Sequence, residues 1–276
     1  MAEPKTQPVA GVREIDFNSD EFQRNFKQVY TSLHEGGCPY AHSSDGDFYA
    51  LAAHKDIVEA CLKPQDWSSR YGPGLQYQPL DTPGVLVSVD PPEHTFEARL
   101  VGKAFSKVYF ESFIPGIREF LNARIDAVFA KGGCDIHKEI SEPLPLWVIF
   151  KMFGKEADED FMASFRQGLI AGVGQMLRPG APAVRQNESV HFLTDHLAEV
   201  RRKLAAGEAQ PDDNLLTRFI TGEIDGRRLT DEKILGFCSF LLTAGSATTT
   251  IMLSNVLFRL LEQPERLEQV LSLIHI

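Results

Sequence analysis

A mainly helical fold with a small β-sheet is what this chain predicts, and three observations carry that expectation. Its 276 residues with 43% apolar content can fill a substantial core. Apolar residues recur at helical spacing along most of the length, in segments closed by glycine or proline, while only one short run has strand character. No internal repeat or low-complexity tract interrupts the pattern, so a single domain spanning 1–276 is expected.

In order, Asp20 to Glu35 is amphipathic, with Phe22, Phe26, Val29 and Leu33 on one stripe and Gly36-Gly37 as its stop. Phe48 to Ala52 is the strand candidate, and His54 to Leu62 a short helix that Pro64 ends. Tyr71 to Pro92 is rich in proline and glycine yet carries Leu75, Tyr77, Leu80, Val85, Leu86 and Val87. A mere tether has no need of such residues, so an ordered loop is expected. Helices follow at Glu93 to Lys107, Phe110 to Lys131, Leu144 to Phe153, Asp158 to Leu177, Val184 to Ala206 and Asp212 to Ile220. Gly222 to Leu229 is a turn, and Thr230-Asp231-Glu232 a favourable start for the next helix.

The balance of 38 acidic against 28 basic residues, a net charge of −10, repels phosphate backbones and excludes general nucleic-acid binding. Cys38, Cys61, Cys134 and Cys238 lie far apart with no CxxC pair, which excludes a zinc knuckle and a dithiol redox motif and predicts no metal site built by this chain. Isolated thiols fit a reducing, cytoplasmic compartment. The first twenty residues hold no apolar run of the kind that makes a secretory signal.

From Ile234 to Phe258 the chain carries no charge, long enough for a membrane span. The run is not uniformly greasy, however. Ser239, Thr243, Ser246, Thr250 and Ser254 draw a polar stripe, and its centre reads Ala244-Gly245-Ser246-Ala247-Thr248-Thr249-Thr250. A mid-helix glycine costs up to about 1 kcal/mol, so something other than helix propensity selects these residues. Ala244 and Gly245 allow close approach to the backbone, and the Thr248 hydroxyl can reach the Ala244 carbonyl one turn back and loosen the helix into a small groove. Taken alone, the helix favours tight packing over ligand chemistry. A membrane span ranks third, because charged and capped helices surround the run.

Leu241 to Thr250 resembles the central I helix of bacterial cytochromes P450, whose pattern is Ala/Gly-Gly-x-Asp/Glu-Thr. Asp90-Pro91-Pro92-Glu93-His94-Thr95 followed by Arg99-Leu100-Val101-Gly102-Lys103-Ala104-Phe105 is similar to the family's C-helix entry, and Asp225 to Gly236 to the lead into its I helix. The three motifs stand in the family's order. The resemblance implies a haem-thiolate monooxygenase fold of the soluble type, using dioxygen and two electrons to oxidise an apolar small molecule. It implies haem b as cofactor, with a propionate held by His94, and Arg99 adjacent to Ala98, where the family has its second propionate arginine. It further implies Ala244 and Gly245 on the oxygen side of the haem, and Thr248 holding oxygen and steering protons. The acid usual before that threonine is Ala247 here.

By the same resemblance Val85, Leu86, Val87, Leu241 and Ala244 face substrate. A basic stripe of Arg99, Lys103 and Lys107 would meet a ferredoxin-type electron donor, and the complete protein would be monomeric, with no membrane. The family's Glu-x-x-Arg helix and cysteine-bearing haem loop find no counterpart in the sequence, and none of the four cysteines stands in the axial-ligand context. The expectation is therefore a chain truncated after the I helix and inactive by itself. The alternative is a non-enzymatic helical module that binds an apolar ligand or partner.

Overall fold

Residues 12–35, 40–43, 48–72, 84–156, 161, 162, 165 and 187–273 are described in a computed structural model of the chain. The expected helix Asp158–Leu177, apart from Phe161, Met162 and Phe165, and the expected loop over residues 73–83 lie outside them. Two compact units form.

The first unit holds a three-stranded sheet, β1 (Arg13–Ile15), β2 (Tyr40–Ser43) and β3 (Tyr49–Leu51), in the order β1-β2-β3. β2 and β3 are antiparallel, whereas β1 and β2 are parallel, with Arg13 opposite Ala41. Parallel neighbours need a long connection. Here α1 (Asp20–Glu35) lies between them in the chain, capped where the Phe22 N–H donates to the Ser19 hydroxyl at 3.1 Å. Leu33 of α1 packs on Ile15 and Ala41, and Phe17, Phe22, Val29 and Ala52 close around them. α2 (His54–Leu62) follows. The sequence predicts β3 alone. β1 and β2 show no alternating pattern and are strands because they pair, with the Glu14 carboxylate 2.8 Å from His42 Nδ1 across the ladder.

The second unit is helical. α3 (Glu93–Ala104) enters it at Thr95, and α4 (Lys107–Glu111), α5 (Ile114–Lys131), a π-helical turn (His137–Ser141), α6 (Pro143–Met152), α7 (Asn187–Ala206), α8 (Leu215–Thr221), α9 (Asp231–Leu261) and α10 (Pro264–Leu273) follow. α5 stops at Gly132, whose φ of 78° is the left-handed cap that glycine adopts without strain. Asn214 and Thr217 cap α8 reciprocally, each side chain accepting the other's backbone N–H. α9 is one continuous helix from its Thr230 cap and packs on α6, α7, α8, α10 and the π-helical turn. Phe150, Phe153, Phe219, Phe237, Leu215 and Leu242 are fully buried in this unit. The rings of Phe150, Phe161, Phe165 and Phe192 cluster edge-on beside them.

Two expectations are corrected. The helix predicted over Glu93–Lys107 stops at Ala104, because extended Ser106 caps a new helix by accepting the Tyr109 N–H at 3.3 Å. Arg99 and Lys103 therefore share α3, while Lys107 opens α4, so the three do not form one helical stripe. The expected helix over Phe110–Lys131 likewise begins only at Ile114. α9 is by length and composition apolar enough to cross a membrane, but its first turns sit in the core of the second unit.

Candidate functional site

The faces of α9 decide what its unusual centre can do. Ser246 and Thr250 are buried, and Ser239, Thr243 and Ser254 are partly so. The polar stripe is thus the packed side. Two of its hydroxyls are satisfied locally, Thr243 donating to Ser239 O at 3.0 Å and Ser246 to Leu242 O at 2.5 Å, while Ser254 Oγ lies 2.9 Å from His137 Nδ1 of the π-helical turn. A hydroxyl bonded to the carbonyl one turn back is buried at little cost.

Gly245 belongs to packing as well. A Cβ there would stand 3.1 Å from Ile149 Cδ1 of α6, so the missing side chain is what lets α6 and α9 approach. Ala244 and Thr248 lie on another face and are exposed. The Thr248 hydroxyl donates to the Ala244 carbonyl at 2.6 Å, the bond that the spacing predicts. The backbone stays α-helical through this point, so the expected loosening into a groove is absent. The stripe continues at helical spacing through Phe237, Leu241, Ala244, Thr248 and Ile251. It is closed over at Phe237, partly covered at Leu241 and open from Ala244 onward. What it offers is a flat strip with only a methyl and a hydroxyl protruding, extended by the aliphatic side chains of Ile251 and Met252.

At the other motif, the Asp90 carboxylate accepts from the Ser68 hydroxyl at 2.5 Å and the Ser69 N–H at 2.8 Å, and these bonds hold it below the usual carboxylate range. The His94 N–H donates to Asp90 O at 3.0 Å, which starts α3. His94 is thereby fixed at the helix entrance with its side chain exposed, and Ala98 is exposed one turn later. Arg99 is engaged: its guanidinium lies 2.7 Å from Asp225, in the turn where Asp225 and Gly226 both adopt positive φ. Lys107 pairs with Glu111 at 3.6 Å. Of the expected substrate-facing residues, Val85 is buried, Leu86 has a left-handed φ of 43°, and Val87 is exposed.

Among the described residues no group of three or more histidine, cysteine or acidic side chains can hold a metal. Burial pushes the Cys238 thiol up to about 12, which favours its protonated form. Cys61 and Cys134 are exposed, and Cys38 lies outside the described residues.

Sequence reasoning missed Glu97 and Lys233, which the structure brings together at 2.7 Å. One signal was present. Glu97 shares a helical stripe with the apolar Leu100 and Ala104, where a carboxylate needs a partner.

The sequence profile of the cytochrome P450 family matches residues 17–272. Cyclomarin C epoxidase CymV of Salinispora arenicola is 31% identical over 221 residues, covering 78% of this chain and 55% of CymV. Cytochrome P450 monooxygenase PikC of Streptomyces venezuelae is 29% identical over 260 residues, 91% of this chain and 59% of PikC. Among solved structures, cytochrome P450 CYP109Q5 from Chondromyces apiculatus matches with a TM-score of 0.74 at 25% identity, covering 94% of this chain and 64% of that one. The chain spans less than two thirds of the length of each of these relatives.

Proposed function

The chain belongs to the cytochrome P450 family, and from that premise we propose that it forms the amino-terminal portion of a haem-dependent monooxygenase acting on an apolar small molecule. The observation that carries the reading is the open strip of α9. It is narrow at Ala244, carries one hydroxyl at Thr248, and continues into uncovered aliphatic residues. A flat apolar macrocycle fits such a surface, because no side chain stands between it and the helix and water leaves apolar area on both partners.

When bound, haem supplies the activation of dioxygen, with the axial ligand and the polarity of the pocket as the protein's levers. His94 and Ala244 would hold the group, His94 by donating to a propionate from the helix entrance and Ala244 by its methyl contact. Arg99 is already committed to Asp225, so it assists only after exchanging that partner. Thr248 Oγ1 donates to its own helix in the present structure, and as a hydroxyl it would also accept a hydrogen bond from water and could turn to donate its own hydrogen bond toward the open side. With Ala247 in place of a carboxylate, Thr248 and water carry this relay alone. Leu241, Val85 and Val87 would contact substrate, while Gly245 acts through the packing of α9 on α6.

The axial sulfur would come from outside this chain, since none of its four cysteines stands in the family's axial-ligand context. Bacterial relatives support a ferredoxin-type electron donor and a cytoplasmic location, with exposed Arg99 and Lys103 on α3 and Lys107 on α4 as the docking charges. The test is the absorption spectrum of the reduced protein under carbon monoxide, with haem supplied. A thiolate-type Soret band is the expected result for the polypeptide that continues past residue 276. Failure of that polypeptide to bind haem would leave a non-enzymatic apolar-binding module in its place.

A further inference from the structure

Glu97 is 0% exposed, and the only acid in the core of α3 is held by Lys233 from the first turn of α9, whose side chain is 20% exposed. The same ammonium donates to two oxygens, Glu97 Oε1 at 2.7 Å and the Gly84 carbonyl at 2.8 Å. One cation thus ties together three stretches of the second unit that are 136 and 149 residues apart in sequence. A buried ion pair is poor as a source of stability, because taking both charges out of water offsets most of their attraction, and apolar residues of similar size would serve as well or better. What such a pair does supply is position, since an ammonium has three donors and strict distance requirements while apolar contacts slide.

The Gly84 carbonyl shows what is being positioned. Gly84 lies two residues before Leu86, whose φ of 43° places a side-chain-bearing residue in the left-handed region, and the Val89 N–H closes that turn on Leu86 O at 3.2 Å. A conformation of this kind persists only where its surroundings over-determine it. Val85, directly after Gly84, is buried, and Val87 beyond the turn is exposed.

We infer that Lys233 is a positioning residue for substrate selection: held by Glu97, its ammonium fixes the Gly84 carbonyl and so sets where the adjoining Val85 presents its side chain. The substrate half of this statement rests on the monooxygenase reading, whereas the anchoring half stands on the chain alone.

The test compares the protein with Lys233→Arg, Lys233→Met and the double variant Lys233→Met with Glu97→Leu, which removes both charges of the pair. Hydrogen exchange at the Val89 amide reads the anchor, and it should rise roughly tenfold in both Met variants while amides of α7 and α8 keep their rates. Lys233→Arg should restore most of the protection. Thermal unfolding of the double variant should match or exceed that of the parent protein. In the haem-loaded protein, the dissociation constant for 4-phenylimidazole should weaken by about fivefold in the double variant, while that for imidazole, too small to reach the segment, changes by less than about twofold. Unchanged Val89 exchange in the double variant would overturn the anchor. Equal changes for both imidazoles would overturn the role in selection. If neither imidazole binds the parent protein, the haem reading falls, and the exchange measurement still decides the anchor.

Discussion

The two halves of α9 have similar apolar content and opposite surroundings. Ile234 and Leu242 are 0% exposed and Phe237 1%, whereas Ile251, Met252 and Phe258 are 58%, 57% and 55% exposed. Phe237 and Ile251 share one stripe across the two halves, so between them the difference is not one of pattern. Gly245 packs against Ile149 of α6 and Ser254 meets His137 of the π-helical turn, whereas Ile251, Met252 and Phe258 stay exposed among the described residues. Contiguous apolar area of that sort marks a site for something else, and the change from covered to bare falls at Ala244, where the side chains also become small. The chain covers 53 to 64% of the relatives compared with it. The bare half is therefore proposed to be where haem and the remaining length of those relatives would lie.

The largest expected effect separates the halves by stability. Phe237→Ala should cost about 3–5 kcal/mol, whereas Met252→Ser should stay within about 0.5 kcal/mol in this chain, as chemical denaturation will show. Equal losses would mean that the second half is covered after all. Next, Gly245→Val forces a branched side chain against Ile149 and should cost about 1–3 kcal/mol, while Ala244→Val, on the open face, should cost little beyond a few tenths of a kcal/mol in helix propensity.

The thiol of Cys238 sharpens the contrast through pH. Its pKa is raised by burial to about 12, so folding favours the protonated form. That contribution is fully present below the unfolded value near 8.5 and is lost as pH rises toward 12, by about 1.4 kcal/mol per pH unit. Tyr109, also pushed up to about 12 by burial, adds to the decline only above about pH 10, its own unfolded value. Cys238→Ala should therefore flatten the alkaline stability curve between about pH 8.5 and 10. A curve that keeps its slope there would show the first half to be solvated. The smallest effect on stability belongs to Thr248→Val, within about 0.5 kcal/mol because the hydroxyl is exposed and bonds only its own helix. In the haem-loaded protein the same change should raise peroxide released per NADH consumed. An unchanged ratio would remove Thr248 from proton delivery.

Much of this was legible in the sequence. Amphipathic spacing and caps locate most helices, and the four-residue step from Ala244 to Thr248 predicts their hydrogen bond. β1 and β2 were not legible, since segments of three and four residues become strands by pairing with partners that local pattern does not reveal. The break at Ser106 was hidden because Arg99, Lys103 and Lys107 keep helical spacing across it. The role of Gly245 depends on Ile149, 96 positions earlier in the chain, and only the fold shows that the glycine and its alanine neighbour look in different directions. Conversely, the polar stripe is visible in sequence, but the side it faces is not. Thr243 and Ser246 satisfy their hydroxyls on carbonyls of their own helix and can be buried.

Amide hydrogen exchange along α9, measured with and without haem, addresses the central claim most directly. Haem binding should slow exchange from Ala244 to Val256 and leave Ile234 to Leu242 unchanged. Protection confined to Ile234–Leu242, or none anywhere on the helix, would contradict the assignment of the open half as the haem face.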